Sequence, residues 1–223
     1  MVQTNSNYHQ YQPWLNRIIE KISWQVRRQM FDTIISTVNP SVRATVLDVG
    51  VTSDERADCN FFEKLYPFAN QITAVGAQDA SFLEHDFPGL KFIQADGRRL
   101  PFKDNSFDLV VSFATIEHVG DNENQKMFMR ELCRVGKTIC VSTPNRWFPL
   151  EFHTLVPLAH WLPSAWFRAI CRLFGKNFFA DKENLNLLSK KKFLNLVPAG
   201  ASIAVKKFKL AAMTSNLMLI IKT

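Results

Sequence analysis

The stretch Gln94–Val119, QADGRRLPFKDNSFDLVVSFATIEHV, contains the features from which the fold is predicted. Within it, Phe107–Phe113 is an apolar run of strand length, which predicts a strand buried on both faces of a sheet. Asp96 and Gly97 form a polar turn directly after a shorter run, Lys91–Gln94, which predicts a second strand. Strands buried on both faces are typical of parallel sheets.

The segments on either side continue an alternation of strands and helices. Toward the N-terminus the predicted strands are Ala44–Val49 and Gln71–Val75, and the predicted helices are Cys59–Leu65 and Ala80–His85. Toward the C-terminus a predicted helix, Asn124–Val135, has an apolar side formed by Met127, Phe128, Leu132 and Val135, and it precedes a predicted strand, Lys137–Ser142. Strands that alternate with helices favour a parallel sheet covered by helices on both faces.

The two ends of the chain depart from this alternation. Apolar residues at three- and four-residue steps predict a helix over Trp14–Ile35, within an N-terminal helical cap at 1–42. Lys190–Leu196 is a predicted helix, and Ala201–Ala211 and Leu217–Lys222 are predicted strands joined at 213–216 (MTSN) into an antiparallel hairpin. We therefore predict an α/β fold with a doubly wound, seven-stranded sheet, mostly parallel and closed by an antiparallel hairpin. This domain covers 43–223 and contains a helical, aromatic insertion at about 144–188.

The basic composition limits the kinds of partner. The chain has 223 residues, a formal charge of +7 and a pI near 9.3. This charge favours a phosphate-bearing substrate or an anionic membrane surface, although a solvated basic face gives the same composition. RNA binding would need a groove with stacked aromatic side chains or an appended module, and the sequence shows neither. A nucleic-acid partner is therefore not expected.

The cysteines and the polar N-terminus point to the cytosol. Cys59, Cys133, Cys140 and Cys171 lie far apart and show no paired C-x-x-C spacing, so neither a metal site nor a disulfide framework is expected. Cys133 and Cys140 are predicted to be small core residues. The first 14 residues are polar, and no apolar stretch is long enough to span a bilayer. We expect a cytoplasmic protein, either free or at the inner face of a membrane.

Three stretches of the sequence resemble one known family. Val46–Gly50 (VLDVG), the Gln94–Val119 block, and Met127–Asn145 (MFMRELCRVGKTICVSTPN) resemble the class I S-adenosylmethionine-dependent methyltransferases, in their small-molecule, type 11-like branch. The resemblance covers about residues 44–145, and the C-terminal hairpin agrees with it in pattern. It implies a Rossmann-like fold, S-adenosyl-L-methionine as cofactor, and transfer of a methyl group.

The resemblance also implies where the cofactor binds. The methionine part is expected at Gly50, and the amino group of adenine is expected to donate a hydrogen bond to Asp96. Open α/β sheets bind ligands beyond the carboxyl ends of their strands, which agrees with both positions. The cofactor-binding residues expected on this basis are Asp48, Gly50, Thr52, Ser53, Gly76, Asp79, Asp96, Gly97, Ala114 and Thr115.

Two positions depart from the family pattern. GVTSDE at 50–55 stands where the family has G-x-G-x-G, and it replaces glycines with hydroxyl and carboxylate side chains. Gly76 stands where the family has an Asp or Glu that holds the ribose hydroxyls. Asp79 or Gln78 could replace that carboxylate, and the competing interpretation is that Asp79 only caps a helix starting at Ala80.

The candidate catalytic residues are Glu117, His118 and His153. Glu117 and His118 follow the predicted fourth strand, and an imidazole has a pKa suited to a general base. The competing interpretation is that His118 packs against the next helix while Glu117 bonds to backbone. His153 is expected to face the pocket from the insertion.

The segment Thr143–Phe179 is rich in aromatic side chains and carries four basic residues, Arg146, Arg168, Arg172 and Lys176. This composition suits a membrane interface, a lid over an apolar acceptor, or an ordinary helical subdomain. Together these features predict a methyltransferase that acts on an oxygen or nitrogen of a small-molecule or lipid-linked acceptor. A non-catalytic binding or partner subunit with the same fold is the alternative, and the sequence does not determine the oligomeric state.

Overall fold

A computed structural model describes residues 13–54, 56 and 58–223, with backbone alone for 13–16. Its helices are α1 (Pro13–Val38), α2 (Phe61–Leu65), α3 (Phe82–Asp86), α4 (Asn122–Val135), α5 (Ser164–Leu173) and α6 (Lys190–Leu194). Its strands are β1 (Val46–Val49), β2 (Ile72–Gly76), β3 (Lys91–Gln94), β4 (Phe107–Phe113), β5 (Gly136–Pro144), β6 (Ser202–Leu210) and β7 (Met213–Lys222). Single turns of 3-10 helix lie at Ala69–Gln71, Ile116–His118, Ala159–Trp161 and Phe178–Ala180.

The seven strands form one sheet in the order β3-β2-β1-β4-β5-β7-β6. Neighbouring strands from β3 through β5 are parallel, and β7 is antiparallel to both β5 and β6. The strand order reverses between β1 and β4, which places a crevice at their carboxyl ends. The prediction of a doubly wound, mostly parallel sheet with a C-terminal hairpin is therefore confirmed.

Successive residues of a strand point to opposite faces of the sheet, and in β1 the residues on both faces are buried. In β1, Leu47 and Val49 pack with α4 residues such as Phe128, whereas Val46 packs on the other face with Ile34 of α1. Each of these side chains is almost completely buried. The continuous apolar runs of the strands follow from this double coverage.

Two local predictions were wrong. Met127 was expected on the buried side of α4, but it is half exposed, and Met129 is buried in its place. The MTSN segment, 213–216, was expected to form the hairpin turn, but it belongs to β7, and the turn lies at Ala211 and Ala212. Both alanines have positive φ, of 48° and 66°, which the twist of a tight hairpin requires.

The insertion has a small apolar core of its own. Phe167, Cys171, Phe179 and Leu185 are buried together there, outside the two clusters that flank the sheet. All four cysteines of the chain are buried and free. None of the described helices is long and apolar enough to cross a membrane. The division of the chain into a cap at 1–42 and a domain at 43–223 stays a prediction.

Replacing Ala212 by Gly should stabilise the protein. Left-handed backbone costs an alanine roughly 1 kcal/mol and costs glycine almost nothing. We expect Ala212→Gly to raise the free energy of unfolding in urea by about 0.5–1 kcal/mol. Ala204→Gly, inside β6 of the same hairpin, is the control and should lower it; stabilisation by both changes would contradict the assignment of the turn.

Candidate active site

The carboxyl ends of four parallel strands meet at one edge of the sheet. Gly50, Gly76 and Ala114 come at or directly after the ends of β1, β2 and β4, and Asp96 follows β3 by two residues. Of the ten residues expected to bind the cofactor, all but Asp48 lie at the end of one of these strands or in the loop that follows it. The other members of this set are Thr52, Ser53, Asp79, Gly97 and Thr115. The fold therefore brings most of the expected binding residues to a single edge.

The backbone is closely packed where β1 and β4 end. Gly50 has φ of 109°, and a Cβ atom there would lie 2.0 Å from Oγ1 of Thr115. Ala114, the residue before Thr115, also has positive φ, of 51°. Left-handed backbone in a non-glycine residue is often found at functional sites, where the surrounding structure holds it in place. Only a glycine fits at position 50.

The loop after β1 is held by polar contacts in place of further glycines. The backbone N–H groups of Gly50 and Val51 both donate to the carbonyl of Val75, at 2.7 and 3.2 Å. Asn60 clamps the next residue from both sides: its Oδ1 accepts from Thr52 N at 3.0 Å and its Nδ2 donates to Thr52 O at 2.8 Å. These bonds explain how the loop closes without the G-x-G-x-G pattern.

Gly76 leaves no room for the ribose-binding carboxylate of the family. A Cβ atom there would lie 2.8 Å from the carbonyl oxygen of Val51, which is backbone and cannot move aside easily. Ser53 Oγ donates to Gln78 Oε1 at 3.2 Å, so polar side chains link the loops after β1 and β2. Asp79 is exposed, and its Oδ1 accepts from Ser81 N at 2.9 Å, in the turn that precedes α3.

Asp96 and Gly97 have different surroundings. The Asp96 side chain is half exposed and forms an ion pair with Arg98 at 2.7 Å, and hydrogen bonds from Arg98 hold the pKa of Asp96 below its ordinary value. Asp96 is therefore an ionised acceptor at the sheet edge. Gly97 is needed for packing, because a Cβ atom there would lie 2.5 Å from the ring of Phe128.

Asp48 lies inside β1, not in the turn after it, and its side chain is buried. It faces Glu63 of α2, which is also buried. Burial, and then the neighbouring Glu63 carboxyl, hold the pKa of Asp48 well above its ordinary value. Burial likewise raises the pKa of Glu63. Asp48 therefore belongs to a buried carboxyl pair beneath the loop.

The three expected catalytic residues meet a fourth residue in a polar cluster, which we call the Glu–His cluster: Glu117, His118, Glu151 and His153. Nε2 of His118 and Nε2 of His153 are 3.1 Å apart. Nδ1 of His153 lies 2.5 Å from Oε1 of Glu151, and Nδ1 of His118 lies 2.6 Å from the carbonyl oxygen of Asn184. Oε1 of Glu117 is 4.0 Å from Nε2 of His118. The structure thus brings together residues that are far apart in sequence.

Glu117 is the most strongly buried carboxyl of this cluster. Its side chain is fully buried, Oε2 accepts from Thr143 Oγ1 at 3.0 Å, and Oε1 has no hydrogen-bond partner among the described residues. Burial raises the pKa of Glu117 to about 7, and the charge of His153 limits that rise. A carboxyl group that titrates near neutrality is suited to general acid–base chemistry.

Glu151 was not singled out from the sequence. It accepts hydrogen bonds from the backbone N–H groups of His153 and Thr154, at 2.9 and 2.7 Å, besides its contact with the His153 ring. Burial opposes its ionisation, but the His153 charge and these hydrogen bonds together lower the pKa of Glu151 to about 2. It is the only acidic residue between Pro144 and Ala180, and that isolation was the available signal.

The cluster borders a small cavity. The cavity has a volume of about 40 Å³, and Glu151, His153, Phe148 and Leu187 are among the residues that line it. This space can hold a water molecule. The described residues include no group of three or more His, Cys, Asp and Glu side chains placed to bind a metal ion.

The strand order, parallel from β3 through β5 with β7 antiparallel to its neighbours, defines a Rossmann-like fold. Comparisons with known proteins agree. Residues 58–138 match a family model described as a methyltransferase domain. The magnesium protoporphyrin IX methyltransferase of Synechocystis, solved with bound S-adenosylhomocysteine, superposes with a TM-score of 0.59 at 12% identity, over 97% of this chain and 91% of that one. At this identity the superposition supports the fold alone.

Two curated relatives share parts of the sequence. A demethylmenaquinone methyltransferase of Staphylococcus epidermidis is 28% identical over 130 residues, which are 56% of this chain and 48% of that protein. A probable S-adenosylmethionine-dependent methyltransferase of Mycobacterium tuberculosis is 37% identical over 83 residues, which are 35% of this chain and 29% of that protein. The chain thus spans half or less of the length of these relatives.

Over residues 58–138 the chain is similar to a methyltransferase domain, and its fold resembles that of solved S-adenosylmethionine-dependent methyltransferases. The resemblance predicted from VLDVG and the Gln94–Val119 block is confirmed, although the family model covers 58–138 and so leaves out VLDVG itself.

Glu117→Gln should make the stability of the protein less sensitive to pH. The pKa of Glu117 is raised in the folded state, so its stabilising contribution is fully present below the unfolded pKa, near 4.5, and is lost as the pH rises through about 7. Relative to Glu117→Gln, we expect the wild-type free energy of unfolding to fall by roughly 3 kcal/mol between pH 5 and pH 8. Urea titrations at several pH values measure this difference. Glu123→Gln, at an exposed carboxylate of α4, is the control: the Lys126 hydrogen bond lowers the pKa of Glu123, so its contribution is lost mainly below pH 5 and the dependence between pH 5 and pH 8 should change little.

Proposed function

We propose that this chain transfers a methyl group from S-adenosyl-L-methionine to an oxygen or nitrogen of a small-molecule or lipid-linked acceptor. The observation that carries this proposal is the Glu–His cluster. Its buried carboxyl, Glu117, lies two residues after Thr115, at the edge where the cofactor would bind, and burial raises its pKa to about 7. A methyl acceptor of the O–H or N–H type must lose a proton, and this cluster supplies a group that can take it.

The sheet edge fits the cofactor at both of its ends. Asp96 is an ionised, half-exposed acceptor for the adenine amino group. Gly50 and Thr115 form a close-packed turn that lets backbone approach the methionine part. At the ribose, this chain has Gly76 where the family has a carboxylate, and the hydroxyl of Ser53 and the amide of Gln78 would bind the diol instead. When bound, the cofactor supplies a methyl group activated by its sulfonium.

The residues of this chain contribute position and proton transfer. Holding the acceptor in line with the methyl group replaces a bimolecular encounter with an oriented one. The cluster then removes the proton that the acceptor loses. Asp79 has no part in this proposal, because its side chain is turned toward the backbone of Ser81.

A small and largely apolar acceptor agrees with the surroundings of the cluster. Phe148, Leu150 and Phe152 line the cavity beside Glu151 and His153. The Staphylococcus epidermidis relative is named for a demethylmenaquinone substrate. We extend to this chain only the class of acceptor, a small molecule with an apolar or lipid-linked part.

The insertion carries an exposed apolar surface that would contact an anionic membrane from the cytoplasmic side. Among the described residues, twelve large apolar side chains are exposed, and seven of them belong to this surface: Trp147, Leu158, Trp161, Leu162, Trp166, Leu173 and Phe174. Arg146, Arg168, Arg172 and Lys176 lie in the same segment, whose only carboxylate, Glu151, is buried. Exposed tryptophans beside basic groups favour the interface of an anionic bilayer.

Isothermal titration with S-adenosylmethionine tests the function. We expect binding to the wild-type chain, and Asp96→Ala should weaken it by about tenfold or more, because a charge-assisted hydrogen bond is lost. Asp86→Ala, at an exposed carboxylate away from the edge, is the matched control and should bind normally. No heat and no thermal shift at millimolar ligand would support a non-catalytic partner subunit instead. Normal binding by Asp96→Ala would contradict the site.

Flotation with vesicles that contain phosphatidylglycerol tests the membrane contact. Trp166 and Leu173 have 67% and 81% of their surface exposed. The double variant Trp166→Ser/Leu173→Ser should lose about tenfold in vesicle affinity through the loss of buried apolar area. Met127→Ser, at a 48% exposed residue of α4, is the control and should bind as the wild type does. Wild-type protein that stays entirely in the soluble fraction would contradict the contact.

A further inference from the structure

Hydrogen-bonding partners determine which nitrogens of the two histidines carry protons. The partner of His118 Nδ1 is the carbonyl oxygen of Asn184, which can only accept, so Nδ1 of His118 carries a proton. The contact between the two Nε2 atoms, at 3.1 Å, is a hydrogen bond only if one of these atoms carries a proton and the other does not. The pair therefore shares a single proton across this contact.

The Glu151 contact determines the charge of the pair. At 2.5 Å, one proton lies between Nδ1 of His153 and Oε1 of Glu151. With the shared proton and the Nδ1 proton of His118, the two rings and Glu151 hold three protons, so their net charge is zero. The backbone N–H groups of His153 and Thr154 donate to the two oxygens of Glu151 and favour its carboxylate form, which leaves one imidazolium ion on the pair. Glu151 is closer to His153 than Glu117 is to His118, at 2.5 against 4.0 Å, so the positive charge rests on His153.

His153 carries this charge in a buried setting, where it influences Glu117. Among the described residues, the charged or titratable groups that face His153 include Glu151 in its own loop, Glu117 and His118 after β4, and Arg56 in the loop after β1. Burial favours neutral forms of both His153 and Glu117. The carboxylate of Glu151 favours the charged form of His153, and a charged His153 favours the ionised form of Glu117.

We propose that Glu151 is a positioning residue, which keeps His153 positively charged and thereby keeps the buried Glu117 ionised and able to take the proton of the methyl acceptor. This role rests on the proposed function. The acceptor's lone pair forms the new bond to the methyl carbon, the electron pair of the broken bond stays on sulfur, and the acceptor's proton passes to Oε1 of Glu117. Glu151 does not touch the acceptor in this scheme and acts through His153.

Glu151→Gln should change the pKa of Glu117 in two opposing ways. Removing the Glu151 charge directly would lower the pKa of Glu117, because like charges repel. The same change lets His153 lose its proton, which raises the pKa of Glu117. The influence of His153 on Glu117 is the larger of the two, so the pKa of Glu117 should rise above about 7.

Histidine ¹⁵N and glutamate carboxyl ¹³C NMR of the full chain tests this proposal. The chain has five histidines, so single substitutions assign every ring, and Glu117→Gln assigns the Glu117 carboxyl. In the wild type we expect one positive charge on the His118–His153 pair at pH 7 and a Glu117 midpoint near 7. In Glu151→Gln, the His153 midpoint should fall and the Glu117 midpoint should rise, each by about one pH unit or more. The exposed His85 is the internal control and should not change.

The two possible failures can be told apart. Two neutral rings in the wild type at pH 7 would overturn the proposal without any variant, even if Glu151→Gln did not fold. An unchanged Glu117 midpoint in a folded Glu151→Gln protein would also overturn it. Glu151→Gln should bind S-adenosylmethionine as the wild type does, whereas absence of binding by the wild type itself would refute the proposed function and leave the charge measurements unaffected.

Discussion

A single buried amide holds the polar cluster to the sheet. Gln125 of α4 is almost completely buried, and its side-chain Nε2 donates to the carbonyl oxygens of Ile116 and Asn186, at 3.1 and 2.9 Å. The backbone N–H of Asn186 in turn donates to the carbonyl of Glu117 at 2.7 Å. Because Ile116 follows β4 and Asn186 lies near the end of the insertion, these bonds fix the insertion against the carboxyl edge of the sheet. An unpaired buried amide would be costly, which makes this arrangement specific.

The electrostatics of the cluster depend on that attachment. Glu117 lies in the turn after β4, whereas Glu151 and His153 come from the insertion, so the charge balance exists only when the two parts are packed together. Burial alone would keep Glu117 protonated at neutral pH, and the positive charge of His153 limits this effect. The insertion therefore supplies a charge that lowers the pKa of Glu117, against the larger effect of burial.

Much of the fold could be predicted from the sequence, because it depends on local patterns. The bounds of β3 and β4 were predicted without error, since each is an apolar run between clear turn residues. The hairpin turn was missed because Ala211 and Ala212 are not typical turn residues, and their left-handed backbone is imposed by the pairing of β6 and β7. Local propensity gives no sign of such tertiary constraints.

The candidate site was predictable in part. Glu117, His118 and His153 were identified from position and chemistry, but their contact across 35 residues, and the role of Glu151, depend on the path of the insertion. The lack of room for a side chain at Gly76 is likewise a tertiary feature, because it is caused by the carbonyl oxygen of Val51. The most direct test of this account is a crystal structure of the full chain with S-adenosylhomocysteine. We expect adenine against Asp96, the ribose beside Ser53 and Gln78, and the sulfur on the side of Glu117; a ligand bound elsewhere, or an edge closed to it at saturating concentration, would contradict this site.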